Sequence, residues 1–208
     1  MLKRRLSHLT PAYVVNRAAS MWWEHQNPDA PWLPRQAVAL LDTLLQPTDH
    51  VIEFGAGRST LWFAQRVATV SAFETDANWC RRVADDISSA GFEDRVQVQA
   101  YATRDDLRAF VEAAGATRQF TVALVDGLDA HRDLCADLSM RLLAPGGVLV
   151  IDNVQRYLPS EHWRAPKARR TGYASDQWED VADGLAGWRQ VHATDGVNDT
   201  AFWVKPAE

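Results

Sequence analysis

A carboxylate and two glycines follow one another at the end of an apolar run, in a pattern suited to holding a small charged ligand. The stretch "VIEFGAGRST", residues 51–60, places Glu53 ahead of Gly55 and Gly57. Because they lack a Cβ, the two glycines permit a tight bend and let a ligand approach the main chain. Ser59 can cap the helix that follows, whose first amide groups attract anionic groups. The turn therefore predicts a nucleotide-like ligand at the end of this strand.

Two features of the same region distinguish the ligand classes. A dinucleotide fingerprint places a third glycine where this chain has Thr60. The carboxylate of Glu53 would repel a pyrophosphate, whereas it attracts a ligand that carries an ammonium and a sulfonium. A second acid, Glu74, ends the next apolar run, at the spacing where a carboxylate meets ribose hydroxyls. Thr60 and Glu53 favour S-adenosylmethionine, whereas Glu74 alone suits either nucleoside. The absence of a Gly-Lys-Ser/Thr sequence at the turn excludes a Walker loop.

From residue 38 onward the chain alternates between strand-like and helix-like patterns. Five apolar runs with intervening helical periodicity require a parallel sheet that has right-handed crossovers and helices on both faces. Two further runs, "GWRQVHAT" and "TAFWVKP", flank a glycine-containing turn and predict a hairpin. The predicted fold is therefore α/β: a Rossmann-like, doubly wound sheet of seven strands, mostly parallel, with an antiparallel C-terminal β-hairpin. The five apolar runs are "HVIEF", "TVSAFE", "RVQVQA", "FTVALVD" and "VLVID".

The whole chain, residues 1–208, is expected to form one domain, because its length and its hydrophobic fraction of 47% suit a single core. Residues 38–208 make the Rossmann-like core, and residues 1–37 make an N-terminal helical cap. Residues 154–173 leave the fifth strand above the predicted pocket, which makes them a candidate substrate loop. Aromatic and cationic side chains there suit stacking on an acceptor and binding an acidic group. These side chains are Tyr157, His162, Trp163 and Lys167. A solvated basic loop explains Arg164, Lys167, Arg169 and Arg170 nearly as well.

Composition and charge bear on partners and location. The formal net charge is −5 and the basic residues are scattered, so no nucleic-acid partner is expected. No apolar run is long enough to cross a membrane, and the basic N-terminus is interrupted before a signal peptide develops. Cys80 and Cys135 lack metal-binding spacing and are typical of reduced core thiols. We therefore expect a cytoplasmic protein, and the tryptophan-rich N-terminal segment favours a homodimer.

Five motifs together give the chain a family resemblance over residues 31–206. In chain order they are "EFGAGRST", "FETD", "YATRDD", "LVDG" and "LLAPGGVLVIDN". With them the chain resembles the class I S-adenosylmethionine-dependent methyltransferases, in which the hairpin supplies the sixth and seventh strands. Arg58 stands where many relatives carry a small residue, so its side chain is expected to point away or to pair with a neighbour. The resemblance implies that the methionine part of S-adenosylmethionine lies among Glu53, Gly55, Gly57 and Ser59, the ribose at Glu74, and the adenine beside Ala102 and Thr103.

The fourth and fifth motifs bear on the chemistry. By the same resemblance, Asp126 would close the pocket near the transferable methyl group. Asp126, Asp152 and Asn153 offer oxygen ligands at adjacent strand ends, which suits Mg²⁺. This set is similar to that of metal-dependent catechol-type O-methyltransferases, although those enzymes tend to carry a lysine where this chain has Asp129. Alternatively, Asp152 and Asn153 merely end the strand and bind the next loop.

A histidine offers a second way to activate an oxygen nucleophile. His131 lies five residues after Asp126, and imidazole is a suitable general base near neutral pH. His25 and His162 are alternatives from flanking segments. We therefore predict a methyltransferase that acts on a small-molecule acceptor, at oxygen. The alternatives are an NAD-dependent oxidoreductase, which Thr60 and the hairpin disfavour, and a non-catalytic cofactor-binding scaffold.

Overall fold

Strands and helices alternate along the chain as the sequence predicts. The structure, a computed structural model, describes residues 10–207. Its strands β1–β7 span His50–Phe54, Thr69–Glu74, Val96–Ala100, Phe120–Val125, Leu143–Ile151, Arg189–Thr194 and Asp199–Val204. Its helices α1–α7 span Pro11–Gln26, Arg35–Leu44, Arg58–Ala64, Ala77–Ser89, Arg104–Thr117, Arg132–Leu142 and Asp176–Gly184. Short 3₁₀ turns, Asp129–His131 and Val154–Arg156, follow β4 and β5.

The seven strands form one sheet in the order β3-β2-β1-β4-β5-β7-β6. The first five strands run parallel, and β7 pairs antiparallel with both β5 and β6. In the described part of the chain, β7 is therefore the one strand that runs against the others. The predicted doubly wound sheet with its C-terminal hairpin is confirmed. Chain order reverses between β1 and β4, which places a ligand crevice at the carboxyl ends of these two strands.

Apolar side chains cover both faces of the sheet. One cluster includes Phe63 of α3 and is lined by Val51 of β1, whereas the opposite cluster includes Leu107 of α5 and the neighbouring Ile52. Val51 and Ile52, which follow one another in β1, thus face different clusters, and both residues are fully buried. A strand that is buried on both sides reads as a continuous apolar run, which is why the sequence located these strands.

Two element boundaries differ from the prediction. β5 begins at Leu143, ahead of the glycines, because Leu143 pairs with Phe120 before a shift of register. The pattern "DAHRDLCADLSMRLL", residues 129–143, predicts a helix from Asp129, but the helix begins only at Arg132 because a 3₁₀ turn comes first. This later start places Arg132 in the first turn of α6, at the edge of the sheet that carries the crevice.

The N-terminal cap contains a surface helix. α1 is the helix that was expected within residues 1–37; residues 1–9 of that cap lie outside the described residues. No residue of α1 is buried, and Ser20 attaches the helix to the β6–β7 turn by donating a hydrogen bond to Asp195 Oδ2 at 2.7 Å. Within residues 10–207, no helix has the length and apolar character that crossing a bilayer requires.

Candidate active site

The turn after β1 brings two main chains into direct contact. Gly55 has φ +102°, in the left-handed region that favours glycine, and its N–H donates to Phe73 O at 2.8 Å. A Cβ on Gly55 would lie 2.8 Å from the carbonyl carbon and oxygen of Asp126. A Cβ on Gly127 would lie 3.1 Å from the carbonyl carbon of Phe54. The carboxyl ends of β1 and β4 approach this closely because glycine stands on both sides.

A buried carboxylate lies behind this turn. Glu53 is fully buried; its Oε2 accepts a hydrogen bond from Thr60 Oγ1 at 2.6 Å, and that hydroxyl accepts one from Gly57 N at 2.9 Å. Its other oxygen, Oε1, is buried and has no hydrogen-bond partner among the described residues. Burial raises the pKa of Glu53 to about 7, although the hydrogen bond from Thr60 opposes the rise. A buried acceptor without a donor is costly, so Oε1 marks a place where a donor on a ligand would be stabilised.

The carboxylate of Glu74 is held by the loop that follows β2. Its Oε1 accepts hydrogen bonds from the N–H groups of Thr75 and Asp76 at 2.7 and 2.9 Å. Its Oε2 makes no hydrogen bond within the described part of the chain, which leaves this oxygen for a ligand. Tyr101 N donates to Glu74 O at 2.9 Å, so the segment after β3 lies beside this carboxylate. The residues predicted to hold ribose and adenine are therefore neighbours.

Ala102 and Thr103 form the exposed start of α5. Thr103 Oγ1 accepts from Asp106 N at 3.1 Å, and Asp106 Oδ2 accepts from Thr103 N at 2.9 Å. This reciprocal capping box satisfies two main-chain donors at the helix start and fixes the path of the chain there. The residues predicted to bind the cofactor thus line one continuous edge, at the ends of β1, β2 and β3.

Aromatic rings brace the outer side of the glycine turn. Trp79 of α4 donates from Nε1 to Ala56 O at 2.7 Å. The guanidinium carbon of Arg58 lies 4.6 Å from the centroid of the Trp32 ring, a cation–π contact with the N-terminal segment. The side chain of Arg58 therefore pairs with a neighbour, as the sequence analysis expected.

The carboxyl ends of β4 and β5 are joined by an arginine that the sequence analysis missed. Arg132 is only 5% exposed. Its guanidinium donates to Gly127 O at 2.8 Å, to Asp152 O at 2.6 Å and to Asp126 Oδ1 at 2.9 Å. Its Nε also lies 3.6 Å from Asp129 Oδ1. Arginine is among the residues least often buried, so nothing in the sequence pattern signals this position.

The carboxyl groups of Asp126 and Asp152 both lie near this guanidinium. Burial raises the pKa of both Asp126 and Asp152, and in each case the positive charge of Arg132 opposes the rise. Asp152 is buried, and its two oxygens accept hydrogen bonds from Thr200 Oγ1 and, at 2.5 Å, from Asn153 Nδ2. The side chain of Asp126 keeps 27% of its surface exposed. Asp126 is therefore the member of the pair that a bound molecule can reach.

The comparison with known families agrees with this geometry. Residues 52–154 match the family model of a methyltransferase domain. The match begins in β1 at the glycine turn and ends just after β5. The chain belongs to the class I S-adenosylmethionine-dependent methyltransferases. No curated protein sequence matches the chain.

Several solved structures share the fold of this methyltransferase. An O-methyltransferase from Bacillus cereus, in complex with SAH, is 15% identical with a TM-score of 0.61, over 98% of this chain and 97% of that chain. TomG from Streptomyces achromogenes, an O-methyltransferase crystallised with SAM, is 19% identical with a TM-score of 0.59, over 97% and 94%. A protein from Clostridium thermocellum named as an rRNA methylase is 12% identical with a TM-score of 0.57, over 83% and 95%. At these identities the likeness shows the fold alone.

The metal site predicted from Asp126, Asp152 and Asn153 does not fit the folded methyltransferase. The three residues lie together, but Arg132 bridges the two strand ends and donates to one oxygen of Asp126. Both carboxylate oxygens of Asp152 are engaged, by Thr200 and by Asn153. The alternative, in which Asp152 and Asn153 end the strand, agrees with the left-handed φ of 54° at Asn153.

His131 lies on the side of the site nearest β3. Its Nδ1 is 3.4 Å from Tyr101 Oη, and the two ring centroids are 5.7 Å apart. Partial burial and the nearby charge of Arg104 lower the pKa of His131. This position is beside the residues predicted to hold adenine, and the role of His131 as a base stays a prediction. The alternatives His25 and His162 are both exposed.

The predicted substrate loop, residues 154–173, is anchored to the core. Trp163 is 1% exposed, and its Nε1 donates to Leu158 O at 2.8 Å. Tyr157 is also buried, and its hydroxyl donates to Asp129 Oδ1 at 2.7 Å. The two aromatic side chains that were expected to stack on an acceptor therefore pack into the protein. The exposed members of the predicted set are His162 and Lys167.

Proposed function

We propose that this methyltransferase transfers a methyl group from S-adenosylmethionine to an oxygen atom of a small-molecule acceptor. The observation that carries the proposal is Glu53 Oε1, which is buried beneath the glycine turn without a hydrogen-bond partner among the described residues. Charge-assisted bonds are stronger than neutral ones, so an ammonium donor is what this oxygen would stabilise most. S-adenosylmethionine carries an ammonium close to its sulfonium, whereas a pyrophosphate offers only negative charge.

The cofactor would lie along the edge formed by the ends of β1, β2 and β3. What supports this path is its continuity: the turn at Gly55 adjoins Phe73 of β2, and Glu74 adjoins Tyr101 at the end of β3. The oxygen Glu74 Oε2 is available for two ribose hydroxyls, and the exposed start of α5 leaves room for a flat base. We assign the methionine part to Glu53, Gly55, Gly57 and Ser59, the ribose to Glu74, and the adenine to Ala102 and Thr103.

The chain's own contribution to the reaction is alignment and proton removal. Bound S-adenosylmethionine supplies a methyl carbon that its sulfonium already activates. The protein must hold the acceptor oxygen in line with that carbon and exclude water. Asp126 is our candidate proton acceptor, because it is partly exposed and burial raises its pKa toward neutrality. As the C–O bond forms and the S–C bond breaks, the hydroxyl proton of the acceptor would pass to this carboxylate, with His131 as the second candidate.

Ligand binding tests the cofactor assignment directly. Thermal unfolding of the whole chain is followed with S-adenosylmethionine, with its demethylated product SAH, and with NAD. A ligand that binds only the folded state raises the unfolding temperature by mass action, so SAM and SAH should raise it and NAD should not. A shift with NAD alone would reject the proposal and restore the oxidoreductase alternative, against which the family match already counts.

Product formation tests the acceptor and the base. Transfer of labelled methyl groups is measured with phenols, catechols, hydroxy acids and a short RNA as acceptors. Labelling of RNA alone would contradict the small-molecule assignment, and binding of SAH with no transfer to any acceptor would favour the scaffold alternative. With an active acceptor in hand, Asp126→Asn should lower turnover more than His131→Ala if Asp126 takes the proton.

A homodimer through α1 is a further part of the proposal. The helix carries four large apolar side chains that are 55–68% exposed, on a face that no other described residue covers. Light scattering of the purified protein should give twice the chain mass, and Trp22→Ser should shift the particle toward the monomer. A monomeric wild-type protein would reject the dimer. The side chains are Val14, Val15, Met21 and Trp22.

A further inference from the structure

We propose that Arg132 replaces a metal ion in this methyltransferase, because its guanidinium bridges the ends of β4 and β5 and holds Asp126 for the acceptor. Methyl transfer then needs no divalent cation. The inference rests on the proposed function for the reaction that it serves. Arg132 is a positioning residue, because it acts through Asp126 and not on the acceptor.

The contacts of Arg132 are those of a built site. Three nitrogens of one guanidinium bind three different partners, namely Gly127 O, Asp152 O and Asp126 Oδ1, at 2.6 to 2.9 Å. The guanidinium carbon lies 5.9 Å from the ring centroid of Tyr157, which covers the group from the side of the anchored loop. A planar fork with fixed donors suits such a bridge, whereas an ammonium offers no comparable geometry.

Charge explains why the position suits a permanent cation. The carboxyl groups of Glu53, Asp126 and Asp152 are all in or beside the crevice, and two of them are fully or almost fully buried. Carboxylates that are gathered in a poorly solvated place need a nearby positive charge. Arginine stays protonated at any relevant pH, so this charge is always present. A divalent ion brought to the same carboxylates would be repelled by the guanidinium that already binds one of them.

The bond to Oδ1 also orients the carboxylate of Asp126. This residue follows β4 directly, and its N–H donates to Phe54 O at 2.8 Å. The main chain is thereby fixed from one side and the carboxylate from the other. A proton acceptor held in this way keeps its direction while the acceptor molecule binds.

Titration with the metal alone tests the first half of the inference. Full-length wild-type protein, with and without SAH, is titrated with MgCl₂ by calorimetry and with MnCl₂ by electron paramagnetic resonance. We expect no site with a Kd below about 1 mM, the weak end of biological divalent-cation sites. A tighter site that disappears in Asp126→Asn would overturn the inference. Neither measurement needs an acceptor, and failure of the proposed function would appear separately as a lack of SAH binding.

Two substitutions test the positioning role. Arg132→Lys keeps the charge but loses the fork, so kcat should fall at least about tenfold while the KM for S-adenosylmethionine changes less than about threefold. Arg132→Met removes the charge as well and should also create a detectable Mn²⁺ site. A wild-type kcat in Arg132→Lys would contradict the inference. If circular dichroism shows that Arg132→Met does not fold, the kcat of Arg132→Lys decides.

Arg95→Met is the matched control. Arg95 also donates to a carbonyl, Val67 O at 2.6 Å, and lies 4.6 Å from an aromatic ring centroid, that of Phe92, but it is at the opposite edge of the sheet. Loss of this guanidinium should leave the kinetics and Mn²⁺ binding unchanged. Activity in the wild type should also persist in a chelator. Loss of turnover in the chelator, restored by Mg²⁺, would overturn the inference.

Discussion

The two ends of the crevice are built in different ways. At the ends of β1 and β2 the parts are local: a glycine turn, an acid within the strand and a second acid at the end of the next strand. At the ends of β4 and β5 the parts come from distant segments, because Arg132 of α6 binds the ends of two strands and Thr200 of β7 binds Asp152. The first end is a property of short stretches of sequence, whereas the second exists only once the chain has folded.

The match to the methyltransferase family follows the same division. It covers residues 52–154, which include every strand end that lines the proposed cofactor site. It stops where the anchored loop begins, so neither that loop nor the hairpin is part of the match. A fold can thus keep its cofactor end while its acceptor end varies, which is how one architecture serves many acceptors.

Substitution of Gly55 should have the largest effect, because this glycine joins the two ends. In Gly55→Ala the new Cβ would meet the backbone of Asp126 at 2.8 Å with φ at +102°. We expect a loss of about 2–5 kcal/mol in the free energy of unfolding, from strain and overpacking together. Urea denaturation measures it.

The matched control for this variant is Gly91→Ala. Gly91 also has a positive φ, +76°, but nothing lies within 4 Å of the added Cβ. This substitution should therefore cost only about 1–2 kcal/mol, the conformational part alone. Equal losses in the two variants would show that contact between the β1 and β4 ends does not constrain Gly55.

Sequence reasoning succeeded where a residue's role depends on its neighbours along the chain. The sheet and the hairpin followed from local patterns and are confirmed. For Arg58 the family resemblance left two orientations open, and the contact with Trp32 agrees with the one in which it pairs with a neighbour.

For Asp152 and Asn153 the sequence indicated oxygen ligands at a strand end but not their surroundings, in which Arg132 and Thr200 already bind Asp152. Sequence reasoning failed for Tyr157, since an aromatic residue in a loop gives no sign of whether it faces a ligand or the core. Long-range packing decides such cases.

The free energy of unfolding should fall as pH rises, because the buried carboxyl groups of the crevice are unfavourable in their charged form. The pKa of Glu53 is raised from 4.5 to about 7, so the folded protein binds this proton more tightly than the unfolded chain does. The stability from this group is therefore present below pH 4.5 and is lost as pH rises to about 7, a loss on the order of 3 kcal/mol. Asp126 and Asp152, whose pKa values are also raised, should act in the same direction.

Unfolding by urea at several pH values checks this prediction. Glu53→Gln should flatten part of the slope, and saturating SAH should reduce it if an ammonium meets Oε1. A wild-type stability that rises between pH 5 and pH 7 would contradict the raised pKa values.

Glu53→Gln should separate binding from folding. The amide keeps the shape of the side chain but loses the charge that would meet an ammonium, so affinity for SAH should fall by about 1.5–3 kcal/mol, roughly tenfold to a hundredfold. Stability at neutral pH should not fall, because a costly buried carboxylate has been removed. Calorimetry gives the affinity, and Glu112→Gln on the exposed face of α5 is the control for loss of charge. Unchanged affinity would remove Glu53 from the cofactor site.

Thr60→Val should have the smallest effect of these variants. It tests the cofactor end of the crevice alone. Thr60 Oγ1 both accepts from Gly57 N and donates to Glu53 Oε2, so valine of the same shape leaves a helix-capping donor and a buried carboxylate oxygen unpaired. We expect a stability loss of about 1–2 kcal/mol. The pKa of Glu53 should also rise further, because a hydrogen bond that lowers it is lost.

The control for this variant is Thr43→Val in α2. Its hydroxyl donates only to Ala39 O of the same helix, at an exposed position, so its loss should cost a few tenths of a kcal/mol. If Thr60→Val were equally mild and left the pH slope unchanged, the hydrogen-bond chain from Gly57 to Glu53 would not be what organises the cofactor end. The difference between this end of the crevice and the end that Arg132 joins would then depend on the glycine turn alone, because that turn is the other local element here.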